Sequence, residues 1–384
     1  MPVPRVVTVV LDSPRGALPT FTIPVPWWQE AEPVVTEVRE RFGLDVTILR
    51  VLEGEVPFET PVTYLAELTT GDPTDVLLPW TGVIGDDPLR LPYARPGGPA
   101  ADLAWAAQHV SITDAPVQVR TWNLSSIWRI PTDRGLVWLK HVPPFFAHEP
   151  AMLRALGRDA PVPHLLAGER GRMLLADIPG HDCYDAELAQ LEAMVDTLVP
   201  LQVAWVDRVD EVIALGAPDW RAACFIDLAA DVVVRSAPAS TRRALDAFVS
   251  RLPAIFAELD SCGLPATFVH GDFHPGNVRW SHGAPVILDW GDVGVGHPLL
   301  DLPAFMERAG EHETALRARW LELWADAVPA SDPDRAADLI APVAQMRQAI
   351  IYQRFLDGIE ETERVYHRAD VPQRLGRVAA MIAE

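Results

Sequence analysis

Apolar residues alternate with polar ones, or form short apolar runs, along much of the first half of the chain. Such stretches, when rich in β-branched residues and bounded by turn formers, are typical of β-strands. A different spacing, apolar residues three or four positions apart, runs from Gln29 to Phe42 and predicts an amphipathic helix that ends at Gly43. The predicted strands are Arg5–Leu11, Val46–Leu52, Pro61–Glu67, Val117–Trp122, Ser126–Ile130, Leu136–Lys140, Pro161–Leu166 and Arg172–Ile178.

Helical spacing dominates after Pro179-Gly180. It predicts helices in Leu188–Val206, in Thr241–Leu259 and through most of 302–384. Pro92–Pro99 is rich in proline and glycine and indicates a linker. The pattern thus divides the chain into a strand-rich part, a linker, a second strand-rich part and a helical part.

One stretch, 268–302, interrupts the helical part with two short apolar strands that each end in polar residues. Its first polar cluster runs from His270 to Asn277, and its second begins at Asp289. The residues between the clusters predict a hairpin that turns at Gly283. We expect this hairpin to bring Asp272, Asn277 and Asp289 toward one point.

These residue types suit phosphoryl transfer. A carboxylate such as Asp272 can take the proton of an attacking hydroxyl, while an amide oxygen and a second carboxylate can hold Mg²⁺. A zinc site formed by His270, Asp272 and His274 is the alternative, although no cysteine lies nearby and the oxygen ligands favour magnesium.

With His270-Gly-Asp272, Asn277 and Leu288-Asp289-Trp, the stretch resembles the aminoglycoside phosphotransferase and choline kinase-like family. The family pattern is H-G-D-x-x-x-x-N followed by I/L-D-W/F. The resemblance implies an α+β, bilobal protein-kinase-like fold, with an antiparallel-sheet N-lobe and a helical C-lobe. It also implies Asp272 and His270 as catalytic residues, Asn277 and Asp289 as Mg²⁺ ligands, and ATP or GTP as the phosphoryl donor.

The resemblance extends loosely over about residues 115 to 365 and suggests the nucleotide site. Lys140, at a strand end, would bind the inner phosphates, and Glu149 would hold that lysine or simply begin a helix. No glycine-rich loop is present, so Ser125 and Ser126 are the candidates for covering the phosphates. The backbone around Ala176 to Ile178 would bind the purine edge, or would form a plain strand and turn.

Acidic residues later in the chain leave two interpretations open. Asp301, in G-H-P-x-x-D-L, would either anchor the loop from His270 to Asn277, called the catalytic loop below, or cap a helix. The acids Asp357, Glu360, Glu361 and Glu363 would bind an ammonium group or form a solvated helix face.

The first 95 residues are expected to form a small α/β domain, followed by an N-lobe at 100–178 and a C-lobe at 179–384. Glu37, Glu40 and Gly43 weakly resemble the end of the Nudix box. Thr36 and Arg41 replace an arginine and a glutamate of that box, so a non-catalytic cap is the preferred interpretation.

The amino-acid composition narrows the class of protein and the kinds of ligand to be expected. Hydrophobic residues make up 49% and charged residues 22%, which is typical of a globular protein. The net charge of -21 argues against nucleic-acid binding; it suits a cationic acceptor and equally serves solubility. No apolar run predicts a membrane span or signal peptide, and the scattered Cys183, Cys224 and Cys262 predict no disulfide framework, so a cytoplasmic location is expected.

The sequence therefore predicts a small-molecule kinase. It would transfer the terminal phosphoryl group of ATP or GTP to a hydroxyl of an aminoglycoside, amino sugar or similar small molecule. Two alternatives stay open: a nucleotide-binding pseudokinase that acts as a scaffold, and a Nudix-type hydrolase in the first domain.

Overall fold

The computed structural model describes residues 4–56 and 60–383, so the outermost ends of the predicted domains, at Met1 and Glu384, lie outside the described residues. The chain divides into two compact units. The first consists of Met1–Ala147, Leu165–Asp177 and Phe355–Arg368, and the second of His148–His164, Ile178–Arg354 and Ala369–Glu384. The division into an N-terminal domain, an N-lobe and a C-lobe stays a prediction.

The first unit begins with a mixed sheet. Its elements are β1 (Arg5–Leu11), β2 (Gly16–Ala17), β3 (Phe21–Ile23), α1 (Glu32–Phe42), β4 (Asp45–Gly54) and β5 (Val62–Thr70). Strand β1 pairs in parallel with β5, and β5 pairs antiparallel with β4. Helix α1 buries Val34 and Val38 and ends at Gly43, whose φ of 66° is the left-handed conformation that suits glycine. The predicted end of the helix is confirmed, whereas its start is Glu32 and not Gln29.

A second, antiparallel sheet completes most of the first unit. Its elements are α2 (Gly98–Ala106), β6 (Val117–Trp122), β7 (Ser125–Thr132), β8 (Gly135–His141), β9 (Leu165–Glu169) and β10 (Arg172–Ala176). The strand order is β6-β7-β8-β10-β9. The predicted strands are present, although the one placed at Pro161–Leu166 begins only at Leu165 and the one placed at Arg172–Ile178 ends at Ala176.

Buried hydrogen bonds join these two sheets and the late segment 355–368. The side chain of Gln118, on β6, donates to the carbonyl oxygen of Ile48 at 2.7 Å and accepts from its backbone N–H at 2.9 Å. Glu363, in the short 3₁₀ helix Glu361–Tyr366, accepts from the backbone N–H of Val51 at 2.8 Å. The first 95 residues therefore share one compact unit with the second sheet.

The second unit is mainly helical. Its helices are α3 (Glu149–Leu156), α4 (Leu188–Val203), α5 (Val209–Ala214), α6 (Ala222–Ser236), α7 (Arg242–Ser261), α8 (Leu302–Met306), α9 (Glu313–Ala327), most of α10 (Pro333–Gly358), and α11 (Asp370–Met381). Its strands are β11 (His181–Asp182), β12 (Thr267–Val269), β13 (Val278–Ser281), β14 (Ala284–Ile287) and β15 (Gly294–Gly296). The fully buried indoles of Trp290, Trp320 and Trp324 belong to its core. Within residues 4–56 and 60–383, every helix is too short or too polar to span a lipid bilayer.

Candidate active site

The predicted hairpin is present and carries two of the predicted site residues at its open end. Strand β13 pairs with β14 so that Val278 lies opposite Ile287. One step further, the backbone N–H of Leu288 donates to the carbonyl oxygen of Asn277 at 2.8 Å. Asp289 directly follows Leu288, so Asn277 and Asp289 lie side by side at the open end of the hairpin.

Asp272 lies in the loop between β12 and β13 and is held from two sides. The side-chain nitrogen of Asn277 donates to its carboxylate at 2.9 Å, and Nε2 of His274 lies 3.5 Å from the same oxygen. Burial would raise the pKa of Asp272, but the hydrogen bond and charge of His274, helped by His270 and Asn277, bring that pKa below its usual value. The side chain still exposes 46% of its surface, so this ionised carboxylate can meet a ligand.

Asp289 begins the second polar turn in an unusual backbone conformation. Its φ is 59° and its ψ is 66°, the left-handed region, which a residue with a Cβ seldom adopts. The following residue, Trp290, is buried, and its backbone N–H donates to the carboxylate of Glu149 at 3.2 Å. Glu149, at the start of α3, thus helps to hold the turn that presents Asp289.

The donor set fits magnesium. The amide nitrogen of Asn277 is engaged by Asp272, which leaves the amide oxygen of Asn277 for a cation, and Asp289 adds a carboxylate from the adjoining strand end. Mg²⁺ is commonly bound by one or two carboxylates together with substrate phosphates and water. Nearby, Asp292 has a pKa raised well above its usual range, because it is buried and faces the carboxylates of Asp272 and Asp289.

His270, predicted to be catalytic beside Asp272, is fully buried. Its Nε2 lies 2.9 Å from the carbonyl oxygen of Leu288, and its Nδ1 accepts a long hydrogen bond of 3.4 Å from the backbone N–H of Asp272. The ring packs edge-on against Trp290. With both ring nitrogens bonded to the backbone, His270 supports the loop around Asp272. Its predicted catalytic role stays a prediction.

The same bonds exclude His270 as a zinc ligand. Among the residues that the structure describes, no three histidine, cysteine, aspartate or glutamate side chains are arranged to hold a metal ion. The alternative zinc site of His270, Asp272 and His274 is therefore wrong.

In the predicted Nudix remnant, Glu37 pairs with Arg41 one turn away on the surface of α1. The Nudix resemblance stays unconfirmed.

Asp301 anchors the catalytic loop, which is one of the two interpretations of its motif. Its carboxylate accepts from the backbone N–H groups of His270 and Gly271, each at 2.8 Å, and from the side chain of Gln202 at 3.2 Å. It makes no capping hydrogen bond to α8. Sequence reasoning missed Gln202, because a buried glutamine in an amphipathic helix carries no motif.

Sequence reasoning also missed Arg347, on α10. Its guanidinium is completely buried and donates to the carbonyl oxygen of Gly271. Burial lowers the pKa of Arg347, while the carboxylates of Asp301, Asp292 and Asp272 raise it. The buried arginine therefore offsets part of the negative charge that the site concentrates.

The predicted nucleotide residues of the first unit lie on its antiparallel sheet. Lys140, on β8, is 9% exposed and lies between Ile127 and Met173 of the neighbouring strands. Ser125 and Ser126 are buried, and their hydroxyls accept from the indoles of Trp122 at 3.1 Å and Trp128 at 3.2 Å. Because both hydroxyls are buried and already accept hydrogen bonds, the backbone of this turn is better placed than they are to bind phosphates.

The predicted purine-binding segment follows β10. This strand lies between β8 and β9, and Ala176 at its end pairs only with Val137. The carbonyl oxygen of Ile178 accepts from the guanidinium of Arg279. The Ile178 carbonyl oxygen therefore already accepts a hydrogen bond from within the protein. The roles of Lys140, Glu149, Ala176 and Ile178 toward a nucleotide remain predictions.

A cavity of about 200 Å³ opens beside the Asp272 carboxylate within the second unit. It lies between the catalytic loop, α8, α10 and α11, and it is wide enough for several water molecules or part of a small organic molecule. Its walls are formed by Asp272, His274, Leu300, Pro303, Ala304, Glu307, Arg308, Ala344, Gln345, Gln348, Tyr352 and Arg374. Asp272 can therefore act on a molecule bound in this cavity.

The family model described as "APH: Phosphotransferase enzyme family" matches residues 114–339 of the chain. That span begins before β6 and ends within α10, and it includes both polar turns of the site. It contains none of the first sheet. No sequence among curated proteins matches the chain.

Three solved structures show the same fold at low sequence identity. Choline kinase LicA from Streptococcus pneumoniae is 13% identical, with 74% of this chain and 98% of that chain covered and a TM-score of 0.54. Aminoglycoside 2'-phosphotransferase-IIIa, solved as its GDP complex, is 15% identical, with coverages of 74% and 97% and a TM-score of 0.53. Macrolide 2'-phosphotransferase MphH from Brachybacterium faecium is 16% identical, with coverages of 71% and 97% and a TM-score of 0.51.

Proposed function

Because the chain belongs to the phosphotransferase enzyme family, we propose that it transfers the terminal phosphoryl group of ATP or GTP to a hydroxyl of a small molecule bound beside Asp272. Its fold is the α+β, protein-kinase-like fold of small-molecule kinases, and its reaction is phosphotransfer to an alcohol group. The observation that carries the specific proposal is the ionised, half-exposed carboxylate of Asp272 at the wall of a cavity of about 200 Å³.

In the proposed reaction, the acceptor hydroxyl donates a hydrogen bond to Asp272. As the hydroxyl oxygen forms its bond to the terminal phosphorus, the bond from phosphorus to the leaving nucleoside diphosphate breaks, and the proton passes to the carboxylate of Asp272. Asn277 and His274 keep that carboxylate oriented and ionised. A transfer of this kind gains most from positioning, because the phosphoryl group itself needs little covalent help from the protein.

Asn277 and Asp289 would hold Mg²⁺, which neutralises phosphate charge when it is bound. Lys140 would bind the inner phosphates as a point charge, and Glu149 would steady the turn of Asp289 through Trp290. His270, Gly271 and Asp301 keep the catalytic loop in place through their mutual hydrogen bonds. None of these three needs to touch the substrate.

The acceptor class follows less directly. Aminoglycosides and amino sugars, which carry cationic groups, are the acceptors predicted from the sequence. The charges that line the cavity favour a second class of acceptor. A cytoplasmic location also remains a prediction from the sequence.

The test is a phosphotransfer assay on the purified full chain with Mg²⁺, with ATP and GTP in parallel, and with a panel of aminoglycosides, amino sugars, macrolides, neutral sugars and sugar acids. We expect phosphorylation of at least one class, and loss of about 100-fold or more in kcat for Asp272→Asn. Asp196→Asn is the matched control, because Asp196 is a surface carboxylate paired with Arg319. Unchanged turnover of the Asp272→Asn protein would refute the assignment.

The two alternatives give different results in the same preparation. A scaffold pseudokinase would bind nucleotide without transferring phosphate to any acceptor. A Nudix-type hydrolase would release nucleoside monophosphate and would lose that activity in Glu40→Gln, a change in α1. The full chain is needed for this comparison, because the first sheet shares buried hydrogen bonds with β6 and with Glu363.

A further inference from the structure

The cavity beside Asp272 has an unusual balance of charge for a site that would bind polycations. Among the described residues of its wall, the acids are Asp272 and Glu307, and the arginines are Arg308 and Arg374. If Asp272 is reserved for the acceptor hydroxyl, Glu307 is the acid left to attract an ammonium group. Whether Glu307 is already paired within the protein therefore decides if the cavity can attract a cation or an anion.

Glu307 is already engaged by its own protein. One carboxylate oxygen accepts from the side chain of Gln345 at 2.7 Å and from Arg377 at 2.9 Å, and it lies 3.5 Å from Arg374. An ammonium group of a ligand would have to compete with two guanidinium groups for this carboxylate. The two arginines of the described wall outnumber Glu307, so the wall apart from Asp272 has a net positive charge.

Arg374 retains hydrogen-bonding capacity. On α11, its Nη1 donates to the side-chain oxygen of Gln345 at 3.0 Å and faces Glu307, while its guanidinium packs 5.9 Å from the ring centre of Tyr352. These contacts hold the guanidinium with 21% of the side chain exposed. They use one of its three nitrogens, so Nε and Nη2 can still donate in the forked geometry that matches a carboxylate or a phosphate.

Arg308 adds a second positive charge. It follows Glu307 after the end of α8 and is exposed, and within the described chain the structure shows no hydrogen bond or ion pair from its side chain. An exposed, unpaired arginine alone would not indicate an anion-binding site. Together with the oriented guanidinium of Arg374, it outweighs Glu307 on the part of the described cavity wall other than Asp272.

Two of the four late acids that could have attracted an ammonium group, Glu360 and Glu363, are engaged elsewhere, and none of the four is among the described residues that line this cavity. Glu360 forms ion pairs with Arg90 at 3.0 Å and Arg50 at 3.6 Å, and only 4% of its side chain is exposed. Glu363 is 3% exposed and accepts from the backbone N–H of Val51. Both residues stabilise the first unit, and neither lines the cavity beside Asp272.

We propose that the acceptor is an anionic small molecule, which carries a carboxylate or a phosphate group on the same molecule as the hydroxyl that is phosphorylated, and that Arg374, supported by Arg308, recognises this group. The proposal rests on the proposed function, because it concerns the acceptor of that reaction. Arg374 is then a specificity-determining residue that binds the acceptor without taking part in the transfer of the proton or the phosphoryl group.

A matched set of hexoses tests the charge preference. Glucose supplies a neutral acceptor, glucosamine a cationic one, and glucuronate and glucose 6-phosphate two anionic ones with the same ring. Phosphotransfer from ATP with Mg²⁺ is measured for each, together with the thermal stabilisation that each sugar causes on its own. We expect one or both anionic members to have a kcat/KM about ten-fold or more above glucose and glucosamine. Comparing the two anions distinguishes a carboxylate from a phosphate.

Variants link this preference to the arginine. Arg374→Gln is expected to raise KM for the anionic sugar about ten-fold or more with little change in kcat. Arg374→Lys keeps the positive charge but loses the two-pronged guanidinium, so its KM is expected to lie between those of the wild type and Arg374→Gln. Arg308→Gln should have a smaller effect in the same direction. Arg317→Gln is the matched control, since Arg317 forms surface ion pairs on α9 and does not line the cavity.

The proposal is overturned if glucosamine is the preferred sugar, if neutral and anionic sugars react equally, or if Arg374→Gln leaves KM for the anionic sugar unchanged. It is also overturned if the anionic sugars neither react nor stabilise the protein while ATP with Mg²⁺ does; in that case the kinase assignment stands. If neither ATP nor GTP, each with Mg²⁺, stabilises the protein or is consumed with any acceptor of the wider panel, the proposed function itself has failed.

Discussion

The side-chain nitrogen of Asn277 lies 2.9 Å from both the carboxylate and the backbone carbonyl oxygen of Asp272. These two hydrogen bonds close the loop in which four residues, 273–276, separate the proposed base from the proposed metal ligand. Because the nitrogen is used in this way, the amide oxygen has to point in another direction. One side chain thus orients the base and presents a ligand for Mg²⁺.

Replacing Asn277 by aspartate should therefore impair the reaction although a metal-binding oxygen is kept. The new carboxylate cannot donate to Asp272 and repels it at the same distance. We expect kcat to fall about 100-fold or more, measured by steady-state phosphotransfer with saturating nucleotide. Normal far-UV circular dichroism is the control for folding, and wild-type turnover in this variant would contradict the proposed orientation.

Gly271 should not tolerate a side chain. Its φ is 95°, and a Cβ built there would lie 2.2 Å from the carbonyl oxygen of Asp292, so Gly271→Ala has to displace the catalytic loop or the Asp289 turn. We expect a loss of at least about ten-fold in kcat. Gly283→Ala is the matched control, because Gly283 has a φ of 84° but open space around it. Equal losses in both variants would mean that backbone strain, and not the contact with Asp292, matters.

Removing the anchor of the catalytic loop should cost stability. Asp301 is fully buried and accepts the backbone N–H groups of His270 and Gly271. Asp301→Ala leaves both donors without this acceptor, at about 1 to 3 kcal/mol each, and Asp301→Asn should lose about half as much. Urea unfolding measures the difference, with the exposed Asp338→Asn as the control. If the alanine and asparagine variants were equally stable, the anchoring role would be wrong.

Glu363 should make the first unit less stable as the pH rises. Burial, with help from Glu360, raises its pKa from the ordinary value of 4.5 to about 8, although the Val51 N–H and Arg50 oppose the rise. Between these values the folded chain binds more protons at this group than the unfolded chain does, so the free energy of unfolding falls as pH increases and levels off above about 8.

A neutral replacement provides the test. Glu363→Gln can keep the hydrogen bond from Val51, and it should remove this part of the pH dependence. Thermal unfolding at several pH values between about 5 and 9 is expected to show the variant gaining on the wild type as the pH rises. Parallel curves for the two proteins would show that Glu363 does not titrate in this range.

Much of the fold was predictable because it depends on local spacing. Alternating apolar residues marked β6 to β8, and the apolar face of α1 with Gly43 after it marked the end of that helix. The spacing of Asp272, Asn277 and Asp289 around a two-strand hairpin sufficed to bring Asn277 and Asp289 to one edge, since a hairpin joins nearby residues.

Other features were decided only by the tertiary structure, because their partners are far apart in the chain. Arg347 reaches Gly271 across 76 residues, and Gln118 reaches Ile48 across 70. No local pattern specifies that His270 is fully buried with its Nε2 beside the carbonyl oxygen of Leu288. The sequence by itself determined the chemistry of the loop, through residue types at short spacing. Only the packing of α8, α10 and α11 decided the charge of the cavity, because it brings Glu307 and Arg374 together from positions 67 residues apart.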